Sequence, residues 1–183
     1  MQIRDDERGY GVVTRAFHWL MALAIFAMFG LGVWMVGLDY YSPYRIAAPD
    51  LHRSAGILLL IALVLRFLWR LTNATPDDSE LTPFERKAAY AVHRGFYPLL
   101  LALMVSGYLI STPEGQAIDV FGLFSVPSLV KMKGLEDGAG LVHRWLAYAT
   151  MAVAAVHAAA AIKHHVADKS SILTRMWSGS PKP

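Results

Sequence analysis

Four long apolar stretches divide the chain, and polar or turn-forming segments separate them. The stretches run roughly over Ala16–Val36, Leu51–Leu71, Tyr90–Ile110 and Leu141–Ile162. Each is close to the length of about 20 residues that an α-helix needs to cross the hydrocarbon core of a bilayer. The pattern predicts an all-α integral membrane protein, a four-transmembrane-helix bundle that forms one domain over residues 1–183.

The first apolar stretch resembles a signal peptide only in its position. Its leader contains Asp5, Asp6 and Glu7, its apolar part is long and rich in aromatics, and no small-residue cleavage site follows the stretch. We therefore expect an uncleaved membrane helix.

The longest connection, residues 111–140, contains an apolar run over residues 120–127. Two interpretations of this run are open. It could lie on the membrane surface, where it would cover a site or dock a partner protein, or it could be a simple interfacial connector.

Composition supports the membrane class and excludes several kinds of chemistry. The chain is 55% hydrophobic and 17% charged, with a mean hydropathy of +0.38. It has no cysteine, which excludes disulfides, iron–sulfur clusters and covalently attached haem. The net charge of +3 comes without a basic block or a nucleic-acid motif, so we expect no nucleic-acid partner.

The distribution of cations predicts the direction of the four spans. Twelve of the 17 Lys and Arg residues lie near the N-terminus, the second connection and the C-terminus: Arg4, Arg8, Arg15, Arg66, Arg70, Arg86, Lys87, Arg94, Lys163, Lys169, Arg175 and Lys182. The other five lie on the opposite side: Arg45, Arg53, Lys131, Lys133 and Arg144. Because loops rich in Lys and Arg stay in the cytoplasm, both termini are predicted to be cytoplasmic, with residues 111–140 outside.

Histidines occur inside the spans at two depths. His143 and His157 are 14 residues apart, which is nearly four helical turns, so they share one face about 21 Å apart along the axis. His52 begins the second span at the outer level and His18 begins the first span at the inner level. The topology thus predicts one pair at each depth, and two facing imidazoles can fill both axial positions of a haem iron.

The same step of 14 residues recurs on the other helices and defines further candidates. It leads from His18 to Gly32, from His93 to Gly107 and from His52 to Arg66. At these two glycines, and at Gly56 one turn after His52, a flat macrocycle could approach the backbone, although glycines also serve helix packing in membranes. Arg66 and His93 are placed to meet a haem propionate at the inner level.

Three His-Arg dipeptides stand at helix starts, and two of them lie at the outer level. Arg53 and Arg144 have two possible roles: interfacial side chains that reach lipid headgroups, or a positive field at the outer haem edge that binds its propionates or steers an anion such as superoxide. At the other end, His164 and His165 follow the last span. They could contact a propionate or quinone, or lie among headgroups and solvent.

Taken together, these residues resemble the bacterial cytochrome b561 family over nearly the whole chain. The residues that carry the resemblance are Phe17, His18 and Trp19, His52 with Gly56, His93, His143 with His157, and a tail with Lys163, His164, His165, Asp168, Lys169, Leu173, Arg175 and Met176. The resemblance implies two haem b groups in the bacterial cytoplasmic (inner) membrane. It also implies that His18 with His157 ligates the inner haem and His52 with His143 the outer haem.

The resemblance further implies electron transfer with membrane quinone, such as ubiquinone. Some family members resemble superoxide oxidase, which passes electrons from superoxide to ubiquinone, so superoxide or a periplasmic redox protein is the expected outer partner. Two alternatives remain open from the residues alone. The chain could be a haem-bearing anchor subunit of a respiratory dehydrogenase, or its intramembrane His and Arg residues could form a proton or metal path in a small transporter.

Overall fold

The computed structural model describes residues 2–179 and shows a bundle of four long helices. The elements in chain order are α1 (Val12–Val36), α2 (Ala47–Leu71), α3 (Pro83–Ser111), β1 (Ile118–Val120), β2 (Phe124–Val126), α4 (Leu135–Val166) and α5 (Ile172–Ser178). The four long helices are each long and apolar enough to span a membrane. The predicted all-α membrane bundle is confirmed, and Lys182 lies outside the described residues.

Each long helix begins before the apolar stretch that predicted it. The clearest case is α3, whose first turn is polar and is fixed by a capping box: the hydroxyl of Thr82 accepts from the Glu85 N–H, and the Glu85 carboxylate accepts from the Thr82 N–H. In α4, Glu136 and Asp137 occupy the first turn, where the helix dipole stabilises acidic side chains. Hydropathy locates the part of a helix within lipid and does not register its polar ends.

The helices pack in sequence order, α1 on α2, α2 on α3 and α3 on α4. A central cluster of buried side chains joins the first three of them through Met21, Leu63 and Leu100. Connections 37–46 and 112–134 lie at one end of the bundle, which we call the hairpin end. Residues 2–11, 72–82 and 167–179 lie at the other end, which we call the termini end.

At the hairpin end, the connection from α3 to α4 contains secondary structure that its apolar run did not predict. Strands β1 and β2 pair antiparallel, with Ile118 opposite Val126. Ile118 and Val120 are buried against Ile57 of α2, and the Ser54 hydroxyl donates to the Asp119 carbonyl over 3.0 Å. One face of the apolar run is therefore packed on α2, while its tip residue Leu123 is 78% exposed.

At the termini end, Asp5 joins the N-terminal segment to α1 and α2. Its buried carboxylate accepts from the Gly11 N–H at 2.8 Å and from the Thr14 hydroxyl at 3.0 Å, and Arg70 lies 3.6 Å away. Trp69 of α2 donates its indole N–H to the Thr14 hydroxyl over 3.0 Å. An anion at the first turn of α1 is favoured by the helix dipole, so Asp5 fixes how the chain enters the membrane.

The C-terminal segment is attached to the connection between α2 and α3 through Glu80. Its carboxylate accepts from the hydroxyls of Ser170 and Ser171, both at 2.6 Å, and forms an ion pair with Arg175. The two hydroxyls, followed by the backbone N–H of Ser171 and the charge of Arg175, lower the pKa of Glu80 to about 2. Helix α5 is thus held against the bundle by a carboxylate that stays ionised.

Candidate functional site: histidine pairs at the two ends of the bundle

At the hairpin end, His52 of α2 faces His143 of α4. The two ring centres are 6.2 Å apart and the ring planes are 77° from parallel. The Nδ1 atom of His143 lies 2.9 Å from the carbonyl oxygen of Leu103 and 3.2 Å from the hydroxyl of Ser106. Because a carbonyl only accepts, this contact places the proton on Nδ1 and leaves the Nε2 lone pair of His143 free to bind a metal.

Glycines on the neighbouring helices make room for these two imidazoles. A Cβ atom on Gly107 would lie 3.0 Å from Cε1 of His143, and one on Gly32 would lie 3.2 Å from Cε1 of His52. Both glycines occupy the level that the step of 14 residues indicated, and in this structure they border the histidine rings directly. At Gly56 a Cβ would meet only the methyl group of Met28, at 3.9 Å, which is ordinary contact.

At the termini end, His157 of α4 is surrounded by two other histidines. Its ring centre is 6.2 Å from that of His18 on α1 and 5.2 Å from that of His93 on α3. Arg66 of α2 reaches the same cluster, with Nη2 3.5 Å from Nδ1 of His18. The structure therefore brings together the four residues that the sequence assigned to the inner level.

The distances test whether the two pairs fit an iron atom. Metal–imidazole bonds of about 2 Å on either side of an iron, with about 1 Å from each nitrogen to its ring centre, require ring centres about 6 Å apart. Both His52–His143 and His18–His157 are at 6.2 Å. His93 at 5.2 Å from His157 is in direct edge contact, too close for an iron between them. In addition, Nδ1 of His52 is buried and has no hydrogen-bond partner among the described residues, as expected of a ring that is positioned to bind a metal and not to form a hydrogen bond.

The arginines beside the hairpin-end pair differ in their partners. Arg53 forms an ion pair with Asp50, so its charge is compensated. Arg144 is exposed and forms no ion pair with the described residues. The five cations of this end stand against six acidic residues, Asp39, Asp50, Glu114, Asp119, Glu136 and Asp137. Any positive field here is therefore local to single side chains and does not extend over the whole end.

The two histidines after the last span are in different surroundings. His164 Nδ1 lies 2.7 Å from Asp168, while His165 is exposed. Lys163 donates to both Asp168 and Glu85, and its bond, followed by that of His164, lowers the pKa of Asp168. The carboxylates of Glu85 and Asp168 therefore share the ammonium group of Lys163. Among the contacts of the described residues, neither His164 nor His165 reaches the cluster of His18, His93 and His157.

Comparison with known proteins identifies the chain. The family model for prokaryotic cytochrome b561 matches residues 9–179. The chain belongs to the prokaryotic cytochrome b561 family. It is 44% identical to cytochrome b561 homolog 2 of Escherichia coli K12 over 98% of this chain and 97% of that protein. It is 28% identical to the probable superoxide oxidase CybB of Yersinia pestis, over 91% and 94% of the two chains.

Membership of this family makes the chain a membrane electron carrier and implies haem b as its cofactor.

The two groups that contact the Nδ1 atom of His143 could not be predicted from the sequence. Ser106 and the Leu103 carbonyl set the orientation of His143, yet nothing in the sequence of α3 distinguishes this serine or this carbonyl from others. For Asp5, the sequence indicated only that the first span is not a signal peptide, and it did not predict the contacts with Gly11 and Thr14.

Proposed function

We propose that the protein holds two haem b groups, one between His52 and His143 and one between His18 and His157. The observation that carries the proposal is the equal 6.2 Å separation of two histidine pairs at opposite ends of one bundle. Haem b, when bound, supplies one-electron transfer without an open coordination position for oxygen. The four histidines would supply the nitrogen ligands that hold the two groups.

Several residues have proposed roles around the two groups. His143 is oriented by the Leu103 carbonyl, so that its Nε2 would be the ligand. Arg66 and His93 would pair with propionate carboxylates at the termini end, since both already lie in the histidine cluster. Arg53 and Arg144 would do so at the hairpin end. Gly56 remains a proposed point of close approach on the helix of His52.

The proposed setting is the bacterial inner membrane, with both termini in the cytoplasm and the hairpin end in the periplasm. The excess of Lys and Arg at the termini end supports this orientation. In it, His52 and His143 would hold a haem at the periplasmic end, and the two haems together would allow electrons to pass between a periplasmic partner and the quinone pool.

Superoxide is the proposed periplasmic donor, supported by the similarity to the probable superoxide oxidase of Yersinia pestis. Two superoxide anions would give up one electron each and leave as dioxygen, and one quinone would take up the two electrons and two protons to become a quinol. Arg144 is exposed, follows His143 directly in the chain and forms no ion pair with the described residues, so its charge would attract the anion at this end.

The test is the optical spectrum and haem content of the purified protein, followed by anaerobic mixing with quinol and, separately, with superoxide. We expect about two haems per chain, reduction by both reagents, and slower reduction by superoxide in Arg144→Gln. If neither reagent reduces the haem, the proposed function is wrong. Copurification with a soluble dehydrogenase that alone reduces the haem would favour an anchor subunit instead.

A further inference from the structure

The turn of the β1–β2 hairpin carries a phenylalanine where the backbone favours other residues. Phe121 has a φ of 54° and Gly122 a φ of 69°, and the Leu123 N–H donates to the Val120 carbonyl over 3.0 Å. Positive φ at both central residues is the pattern of a type I′ turn, in which Asn, Asp and Gly are usual and an aromatic residue is strained. A strained residue at a turn indicates a role for its side chain.

The contacts of the hairpin with α2 show how far it reaches along the span. The last charged residue at this end of α2 is Arg53. Val120 packs on Ile57, four residues later, and because a helix rises by about 1.5 Å per residue, this contact lies about 6 Å further into the apolar stretch. Phe121 borders the apolar groove between α1 and α2 together with Leu58. The hairpin therefore lies beside a part of α2 that is within the membrane span.

The backbone at the tip of the hairpin is hydrogen-bonded within the protein. The Gly122 N–H donates to the Asp119 carboxylate over 2.7 Å, and the Leu123 N–H donates to the Val120 carbonyl. The Asp119 carbonyl accepts from the Ser54 hydroxyl of α2. Non-helical backbone is stable at membrane depth only where its polar groups have partners in the protein. These three bonds satisfy that requirement at the turn.

The outward surface of the hairpin tip is apolar. Phe121, Leu123 and Phe124 are each at least 42% exposed, whereas Ile118 and Val120 on the inward face are buried. Residues 120–127 contain no charged side chain, although a surface that docks a soluble protein usually has a polar rim. Through the groove that Phe121 borders, the tip is also continuous with the apolar outer surface of α1 and α2. Lipid is therefore the partner that this surface fits.

We propose that the β1–β2 hairpin is inserted into the leaflet at its end of the bundle, where Phe121, Leu123 and Phe124 contact lipid acyl chains. The hairpin then anchors the long connection 111–140 to the membrane and is not a docking surface for a soluble protein. An apolar segment that lies at the boundary of headgroups and acyl chains typically enters by about 5–10 Å, which agrees with the depth of the Ile57 contact. The proposal does not depend on the haems or on which end is periplasmic.

The test uses the absence of cysteine in the chain, which lets one introduced cysteine carry a nitroxide spin label. Leu123→Cys and its control Gln116→Cys, both at exposed positions of the same connection, are labelled in the haem-loaded protein in vesicles of phosphatidylethanolamine and phosphatidylglycerol. Oxygen concentrates in hydrocarbon and a nickel chelate stays in water, so the ratio of their collision rates with the label reports its depth. We expect this ratio to be at least about threefold higher at Leu123 than at Gln116. Equal ratios would place the tip in water and overturn the proposal.

Phe121→Asn, made in the labelled Leu123→Cys protein, separates the aromatic ring from the turn. Asn suits the left-handed backbone, so the turn is kept while the contact of the ring with lipid is lost. The collision ratio at Leu123 should fall about twofold or more. An unchanged ratio would show that Phe121 is not part of the lipid contact.

A second measurement needs no substitution. A phospholipid with a photoreactive diazirine in its acyl chain is incorporated into the same vesicles with the unaltered protein, and the adducts are located by mass spectrometry. We expect adducts within residues 120–124 as well as on lipid-facing residues of α2 such as Leu65, which is exposed in the middle of the span. Adducts on α2 with none on the hairpin would overturn the proposal, whatever the labelled variants show.

Discussion

The two ends of the bundle hold histidine pairs with the same spacing in different surroundings. At the hairpin end, His52 and His143 lie against Gly32 and Gly107, and the His143 ring is tied to the Leu103 carbonyl. At the termini end, the pair His18 and His157 shares its space with a third histidine and an arginine. The hairpin-end pair is confined by close contact with the backbone of neighbouring helices, whereas the termini-end pair lies among polar and charged side chains.

This difference indicates that the two pairs respond to different kinds of change. Rings that touch backbone cannot move aside, so the hairpin-end pair is sensitive to added volume. The termini-end pair lies beside the charge of Arg66, so it is sensitive to changes of charge. We expect the binding of the proposed haem at the hairpin end to be sensitive to added volume, and the potential of the one at the termini end to be sensitive to changes of charge.

The largest expected effect comes from removing a ligand. His143→Ala should reduce the haem content from about two to about one per chain and should leave the termini-end haem, while His157→Ala should do the reverse. The pyridine haemochrome assay per mole of protein measures this loss, and redox titration shows which of the two haems is left.

His93→Ala is the control for the ligand prediction, because His93 lies too close to His157 to share an iron with it. It should keep both haems. A loss of one haem in His93→Ala, with both retained in His18→Ala, would exchange the roles of these two histidines and contradict the 6.2 Å criterion.

An intermediate effect is expected from the glycines. Gly107→Ala places a methyl group 3.0 Å from a ring that hydrogen bonds hold in position, which should cost about 1–3 kcal/mol and lower the occupancy of the hairpin-end haem alone. Gly32→Ala, at 3.2 Å, should have a smaller effect in the same direction. Haem content and thermal unfolding of the variants measure both.

Gly30→Ala is the matched control, because Gly30 lies on the same helix as Gly32 and a Cβ there would meet no atom within 4 Å. It should be neutral or slightly stabilising, because alanine is the better helix former. Equal losses of haem in Gly30→Ala and Gly32→Ala would mean that helix packing in general, and not room for the imidazole, explains the glycines.

The smallest effect concerns charge. Arg66→Gln should lower the midpoint potential of the termini-end haem by about 30–60 mV, because a nearby cation stabilises the reduced form. Arg53→Gln should shift the hairpin-end haem by less than about 20 mV, since Asp50 already compensates its charge. Spectroelectrochemical titration of both variants decides; a larger shift for Arg53→Gln would reverse the assigned contrast between the two ends.

The sequence predicted the bundle because a membrane helix must be about 20 apolar residues long, whatever it packs against. The same regularity placed the histidines at two depths, since a helix rises by a fixed amount per residue. The apolar run 120–127 shows where this reasoning stops. Val120 and Leu123 are equally apolar, yet one is buried against α2 and the other is exposed, and only the packing of the hairpin on α2 distinguishes them.

By itself, then, the sequence determined the four spans, the class of the protein and which histidines share a level, all of which follow from one-dimensional spacing. The tertiary structure decided which neighbours each histidine has: the carbonyl of Leu103 for His143, the edge of His93 for His157 and the backbone at Gly107. These contacts join residues on different helices. They depend on how the packed helices are rotated and how closely they approach one another. The same periodicity is compatible with many such arrangements, so it does not determine these contacts.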